Sequence, residues 1–177
     1  MRPTRRQVLW GIGEFLAIPL LPRLARAASV TKIRMIGNKD GSLVWFDPIG
    51  LRVQPGQAIQ WVNTDAGNSH TATAYHSANF GRPRRIPEGA EAWDSNYLLP
   101  NETFTVTLTQ PGVYDYYCVP HEHAGMVGRI IVGTPPSRGW PQQPAGSGAG
   151  ALPDVALNAF PSIDDIMRVG VVHHKAA

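Results

Sequence analysis

The chain has 177 residues, which fits one globular domain with appendages and leaves too little length for two full domains. Its formal net charge of +3 arises in residues 1–27, which hold five Arg and one Glu, so the other 150 residues carry 11 basic and 12 acidic side chains. No basic stripe interleaved with aromatic residues is present, so the sequence predicts no nucleic-acid partner.

Residues 1–27 have the organisation of an export signal. A basic start with Arg5 and Arg6 precedes an apolar run over 11–21 and the small-residue cleavage site Ala25-Arg26-Ala27. The apolar run is too short to span a bilayer, and residues 4–9 resemble the twin-arginine motif of a pathway that exports folded proteins. The sequence therefore predicts a periplasmic protein without stable membrane insertion once the signal is removed; an uncleaved interfacial anchor is the alternative.

From Val30 onwards, short alternating segments are separated by turn residues such as Pro55-Gly56 and Pro111-Gly112. This spacing is typical of an all-β sandwich or barrel. The predicted strands lie near 30–36, 43–46, 51–53, 57–63, 70–75, 102–109, 113–118 and 127–133. In the seventh of them Tyr114, Tyr116 and Cys118 share a face, so the cysteine is expected to end that strand on the inward side.

Three segments lie outside this pattern. A long Pro- and Gly-bearing insertion over 75–101 lacks periodicity, and loops of this length are usually functional or self-packed. Residues 134–153 are predicted to form a Pro/Gly-rich linker. The tail over 154–177 is predicted to contain a short helix that Ser162 caps, and it is expected to fold back on its own domain.

The stretch YYCVPHEHAGMVG, residues 116–128, gathers the only cysteine, two of the six histidines and a methionine. A thiolate and two imidazoles with a weak axial thioether form the site in which copper transfers electrons. Cys118, His121 and Met126 supply three of these four donors on one loop, and His70 at the head of another predicted strand is the natural fourth.

These residues carry a resemblance to a known family. PGQAIQWVNTDAGNSH, followed by GVYDYYCVPHEHAGMVGRIIV, resembles the small blue copper proteins of the plastocyanin and pseudoazurin type, the cupredoxins, over about residues 30–132. The resemblance implies an eight-stranded Greek-key sandwich over 28–133, with one type 1 copper ion at one end. It also implies that His70, Cys118 and His121 are the equatorial ligands and that Met126 is the axial ligand.

The sequence departs from the family pattern at two positions. Thr71 follows the first histidine, where plastocyanin-like proteins often have Asn, so the side-chain clamp between the ligand loops is expected to differ. His123 stands where relatives with a shorter loop place the axial methionine. Met126 is nevertheless the preferred axial ligand, because Gly125 permits the turn that directs the thioether back.

Other readings of the same residues remain open. Cys118 and His121 could be a nucleophile and its base, but no residue that orients His121 and no oxyanion loop is evident. Zinc is possible in principle, although a methionine ligand suits copper better. Cys118 could also be a buried structural thiol, and His70 a satisfied strand histidine. The other three histidines, His76, His173 and His174, are expected to be surface residues.

The sequence thus predicts a periplasmic electron carrier and not an enzyme, because four protein donors leave no open coordination position for a substrate. Its expected partner is a redox protein, such as a cytochrome or a copper oxidase or reductase, that docks near His121 on an apolar patch of Pro120, Ala124, Gly125 and Val127. The alternatives are a copper delivery or storage protein and a copper subunit of a larger redox enzyme.

Overall fold

A computed structural model describes residues 30–134 and 144–175 as two packed β-sheets with a short helical tail. The first sheet has the strand order β2-β1-β4-β6, and the second has the order β5-β7-β8-β3-β9. The strands are β1 (Thr31–Gly37), β2 (Val44–Asp47), β3 (Gly50–Val53), β4 (Gln57–Asn63), β5 (Thr73–Ala74), β6 (Thr103–Leu108), β7 (Gly112–Tyr117), β8 (Val127–Val132) and β9 (Val171–Val172). The export signal predicted over 1–27, and residues 135–143 of the predicted linker, lie outside the described residues.

Alternating side chains build the core between the two sheets, as the sequence predicts. On β4, Ile59 and Trp61 are fully buried, and on β7 the rings of Tyr114 and Tyr116 face the same core. The Trp61 and Tyr116 rings pack edge to face with centroids 5.2 Å apart. Cys118 belongs to this cluster, so the predicted inward placement of the thiol is confirmed.

The strand predicted over 70–75 is shorter in the structure. Only Thr73 and Ala74 pair with β7, whereas His70 forms an isolated bridge with Leu98 of the insertion. The backbone of this segment therefore changes partners between His70 and Thr73, and this prevents one continuous strand.

The C-terminal tail folds back on the domain. It contains helices α1 (Asp154–Ala159) and α2 (Ile163–Val169), and β9 then pairs antiparallel with β3. The Ser162 hydroxyl accepts a hydrogen bond from the Asp165 N–H, as expected of a helix cap. Helix α1 and β9 were not predicted, because six and two residues are too few to show a periodic pattern. No helix among the described residues combines the length and apolar content needed to cross a membrane.

The tail and the insertion cover the outer face of β7. Asp115 on that face is fully buried and forms ion pairs with Arg85 of the insertion and Arg129 of β8, each at 2.7 Å. The ring of Phe160, between α1 and α2, lies 5.0 and 4.9 Å from these two guanidinium groups. Every residue of β7 is therefore buried, and not only the face that the alternation predicts.

Candidate metal centre

Three polar donor atoms converge at one end of the sandwich. The Nδ1 atoms of His70 and His121 are 3.2 Å apart, and the Cys118 Sγ lies 3.7 Å from the first and 3.4 Å from the second. These are the only residues in the described part of the chain that form such a cluster of potential ligands. Two loops and the end of β7 bring them together across a sequence separation of 51 residues.

The dimensions of this triangle fit a metal ion. A point equidistant from the three atoms lies about 2 Å from each, which is close to the bond length between an imidazole nitrogen and a divalent transition metal. One thiolate and two imidazoles favour copper over hard cations such as magnesium or calcium. The donor atoms that are present therefore fit the copper that the resemblance implies.

Cys118 lies at the junction of β7 with the 3-10 helix Val119–Ala124, at the N-cap position of that helix. A helix start was not expected here, although proline near the first helical position is a recognised signal for one, and Pro120 provides it. Burial raises the pKa of the Cys118 thiol to about 11, although the Thr71 N–H donates to the sulfur at 3.3 Å. Catalytic cysteines have lowered pKa values, so this environment argues against the nucleophile reading.

His70 is completely buried, and both of its ring nitrogens are engaged. Its Nδ1 faces Cys118 and His121, while its Nε2 lies 3.0 Å from the carboxylate of Asp65. Asp65 is itself held by the Gly67 N–H and the Asn68 side chain. Because the carboxylate can only accept, Nε2 carries the proton and Nδ1 keeps its lone pair for a metal. Burial lowers the pKa of His70, which also favours the neutral, ligating form.

His121 differs from His70 in its exposure. Its side chain is partly exposed, and it stands in the 3-10 helix and not in a sheet. Burial, and next the proximity of His70, lower the pKa of His121, so this imidazole is also a neutral donor at physiological pH.

Met126 is fully buried, and its backbone is hydrogen-bonded to two of the other proposed ligands. Its N–H donates to the His121 carbonyl at 3.1 Å, and its carbonyl accepts from the Cys118 N–H at 3.0 Å. Gly125 before it has a φ of +80°, in the left-handed region that glycine adopts without strain, as expected for the turn. His123 is exposed and lies outside the donor cluster.

Thr71 connects the two ligand loops. Its hydroxyl accepts a hydrogen bond from the Val119 N–H at 2.8 Å, and its own N–H donates to the Cys118 sulfur. The hydroxyl also lies 2.9 Å from that of Thr73, which in turn donates to Asp94. A threonine therefore provides a clamp between the loops here, with support from the insertion.

The remaining histidines are held elsewhere. His76 Nδ1 accepts from the Ala78 N–H, His173 pairs with Asp47 at 2.8 Å, and the His174 ring stacks on Trp45 at 5.3 Å. His173 and His174 are exposed, as the sequence predicted, and both also contact β2.

The sequence did not predict the residues that contact and support the proposed ligands. Asp65 lies five residues before His70, in a stretch whose Asp, Gly and Asn indicate only a turn. Glu122 stands between two histidines of the ligand loop and is buried. Residue type alone gave no signal for either contact, because both depend on the tertiary packing.

Comparison with known proteins points to the same chemistry. Residues 33–133 match the family model described as copper binding proteins, plastocyanin/azurin family. The chain is 34% identical to the pseudoazurin of Paracoccus pantotrophus over 109 residues, which cover 62% of this chain and 67% of that protein. It is 38% identical to the plastocyanin of Lactuca sativa over 104 residues, covering 55% of this chain and 96% of the relative.

A solved structure of a pseudoazurin from Sinorhizobium meliltoi is also similar. It is 36% identical, with a TM-score of 0.46, and the alignment covers 59% of this chain and 74% of that one. The family match over residues 33–133 includes all four predicted ligand positions.

The Thr71 clamp leads to a stability prediction that is independent of metal. Thr71→Val keeps the volume but leaves the part-buried Val119 N–H without an acceptor, and a donor left unsatisfied in the protein interior costs about 1–3 kcal/mol. Urea unfolding of the metal-free protein should therefore show a loss of this size. Thr107→Val, at an exposed position of β6, is the matched control and should change stability by less than about 0.5 kcal/mol. Equal losses in the two variants would contradict the clamp.

Proposed function

Because the chain belongs to the plastocyanin/azurin family of copper-binding proteins, we propose that it is a periplasmic type 1 copper protein that carries single electrons between redox partners. The observation that carries this proposal is the convergence of two imidazole nitrogens and one thiol sulfur in a buried site. The twin-arginine-type signal predicted over 1–27 supports export to the periplasm.

In this proposal His70, Cys118 and His121 are the equatorial ligands and Met126 is the axial one. Copper bound there would supply the one-electron couple between Cu(I) and Cu(II). The chain provides donors that are already close together, and two of them belong to completely buried residues. Such preorganisation suits a carrier, because the site need not rearrange each time its charge changes.

Electrons are expected to pass through His121. His70 and Cys118 are completely buried, whereas the side chain of His121 is partly exposed. Pro120 and Ala124 are exposed beside it and form part of the apolar patch that the sequence predicted.

Val127 does not belong to that patch, since it is fully buried in a second apolar cluster beneath the tail. Tyr97 and Leu99, which flank the residue that pairs with His70, are exposed by 57% and 58% and extend the apolar surface instead. A small apolar surface suits the brief encounters of redox proteins. The partner expected there is a redox protein such as a cytochrome or a copper oxidase or reductase.

The protein is a carrier and not an enzyme, as its plastocyanin and pseudoazurin relatives are. A copper delivery or storage protein would need exposed, exchangeable sulfur or imidazole ligands. Outside residues 1–27 the chain has three methionines, and of these Met35 and Met126 are fully buried. A role as the copper subunit of a larger redox enzyme would require a stable partner chain, which copurification would reveal.

Cys118→Ser tests the ligand set. Serine replaces the soft thiolate by a hard, weakly acidic hydroxyl, so the intense visible absorption of the sulfur-to-copper interaction should disappear. The absorption spectrum and copper content of the oxidised protein measure this directly. His123→Ala, at the exposed neighbouring position, should keep the colour. A Cys118→Ser protein as intensely coloured as the parent would refute the assignment.

Met126→Leu tests the axial position. Loss of the thioether destabilises the electron-poor Cu(II) state more than Cu(I), so the reduction potential should rise by tens of millivolts, where about 59 mV is a tenfold change for one electron. Protein-film voltammetry of the parent, Met126→Leu and His123→Ala at one pH provides the comparison. A large shift for His123→Ala, with none for Met126→Leu, would reverse the two roles.

Ala124→Glu tests the electron route. A charge beside His121 adds desolvation cost and repulsion where two copies meet, so electron self-exchange, measured by NMR line broadening in mixtures of reduced and oxidised protein, should slow about tenfold or more. Gln54→Glu adds the same charge in the exposed turn before β4, at the opposite end of that strand from the site. Equal slowing by both variants would indicate an effect of net charge and would remove the support for His121 as the route.

A further inference from the structure

The ligand loop contains a buried carboxylate that is not one of the proposed ligands. Glu122 lies between His121 and His123, and only 1% of its surface is exposed. A glutamate is almost never fully buried unless it is paired, because the loss of water strongly disfavours its charge. Its partners therefore show what lies beneath the loop.

Two residues at the start of the insertion provide these partners. The Tyr75 hydroxyl donates to Glu122 Oε1 at 2.8 Å. The Arg82 guanidinium faces Oε2 in an ion pair that lacks hydrogen-bond geometry, and it also lies over the ring of Tyr117 at 5.6 Å. Tyr75 and Tyr117 stack with their centroids 4.4 Å apart. The insertion thus reaches the ligand loop through one charged and one neutral contact.

The tail supports the same loop at the C-terminal end of the loop, near Gly125. Helix α1 packs on the 3-10 helix, where a Cβ at Gly125 would lie only 3.4 Å from the Val155 side chain and 3.6 Å from that of Ala159. Leu152 and Ala156 form an apolar cluster with Tyr75 and Tyr117. Insertion and tail therefore meet directly beneath Glu122.

The loop needs such support because its own structure is weak. It is a six-residue 3-10 helix with no side-chain cap, and short 3-10 segments are rarely stable alone. It nevertheless connects three of the four proposed ligands. The buried network around Asp115 joins the insertion, β8 and the tail.

We propose that Glu122 is a positioning residue through which the insertion and the tail hold His121 and Met126 in the copper-binding arrangement before the metal binds. Moving the loop away would separate the carboxylate from Arg82 and Tyr75 while these remain packed on the domain. The pair therefore opposes opening of the loop. The assignment of His121 and Met126 as ligands rests on the proposed function, but the ordering of the loop does not.

Amide hydrogen exchange in the metal-free protein tests the proposal. The Gly125 and Met126 N–H groups donate to the carbonyls of Glu122 and His121, so their exchange reports loop opening. In Glu122→Gln and in Arg82→Gln, exchange at these two amides should be about tenfold faster or more, because each change disrupts the buried pair. Amides of β4 should change much less.

The matched control is Arg84→Gln. Arg84 belongs to the same insertion and carries the same charge, but its pair with Glu88 is exposed, so its loss should leave exchange in the loop unchanged. Tyr75→Phe removes a single hydroxyl and is the variant to use if the charge changes prevent folding; it should accelerate loop exchange several-fold. The double variant Arg82→Gln/Glu122→Gln should partly restore protection, since no unpaired charge stays buried.

Loop exchange that is unchanged, or that accelerates equally throughout the chain, would overturn the proposal, because Glu122 would then contribute nothing or only to global stability.

A second measurement addresses the metal. Transfer of Cu(I) to a competing chelator should be about tenfold faster from Glu122→Gln than from the parent or Arg84→Gln, because an opening loop exposes the metal. Should the parent fail to bind copper, the proposed function would fail, whereas the exchange experiment would still decide the role of Glu122.

Discussion

The structure depends on burying the proposed metal ligands without leaving their other polar atoms unpaired. A dry site keeps water away from a metal, but each buried nitrogen or hydroxyl then needs a partner within the protein. The Asp65 carboxylate accepts a hydrogen bond from the second ring nitrogen of His70, and the Thr71 hydroxyl accepts one from the Val119 N–H. Each of these partners has its own support, from Asn68 in the first case and Thr73 in the second. The site is therefore the end of a network that extends into the insertion.

The sequence predicted those features of the site that depend on a single strand or a single loop. Alternation in β7 placed Cys118 on the inner face, and the spacing from Cys118 to Met126 defines a single loop with a glycine where the chain needs a positive φ. These features follow from local geometry. The partner of His70 does not, because Asp65 becomes a hydrogen-bond acceptor only once the turn that contains it folds under the histidine.

The differences between expectation and structure share a physical cause. Val127 appears from its position to belong to the surface around His121, but the tail covers it. The strand expected over 70–75 is divided, because Leu98 of the insertion takes the backbone bonds of His70. In both places a segment outside the predicted strands, the insertion or the tail, supplies the neighbour that decides the local environment. No pattern within the predicted strands could reveal this.

The two histidines differ in how they are held and in their exposure to solvent. His70 is fixed by a buried carboxylate and an adjacent backbone pair, and it has no contact with solvent. His121 has no such acceptor in the described residues and is held instead through the loop that carries it, by Glu122 on one side and Met126 on the other. The constraint on His121 must therefore act from beneath, since a residue bonded to its outer edge would cover the surface at which we propose that a redox protein docks. His121 can be both supported and partly exposed because the insertion and the tail occupy the space under its loop, on the side away from solvent.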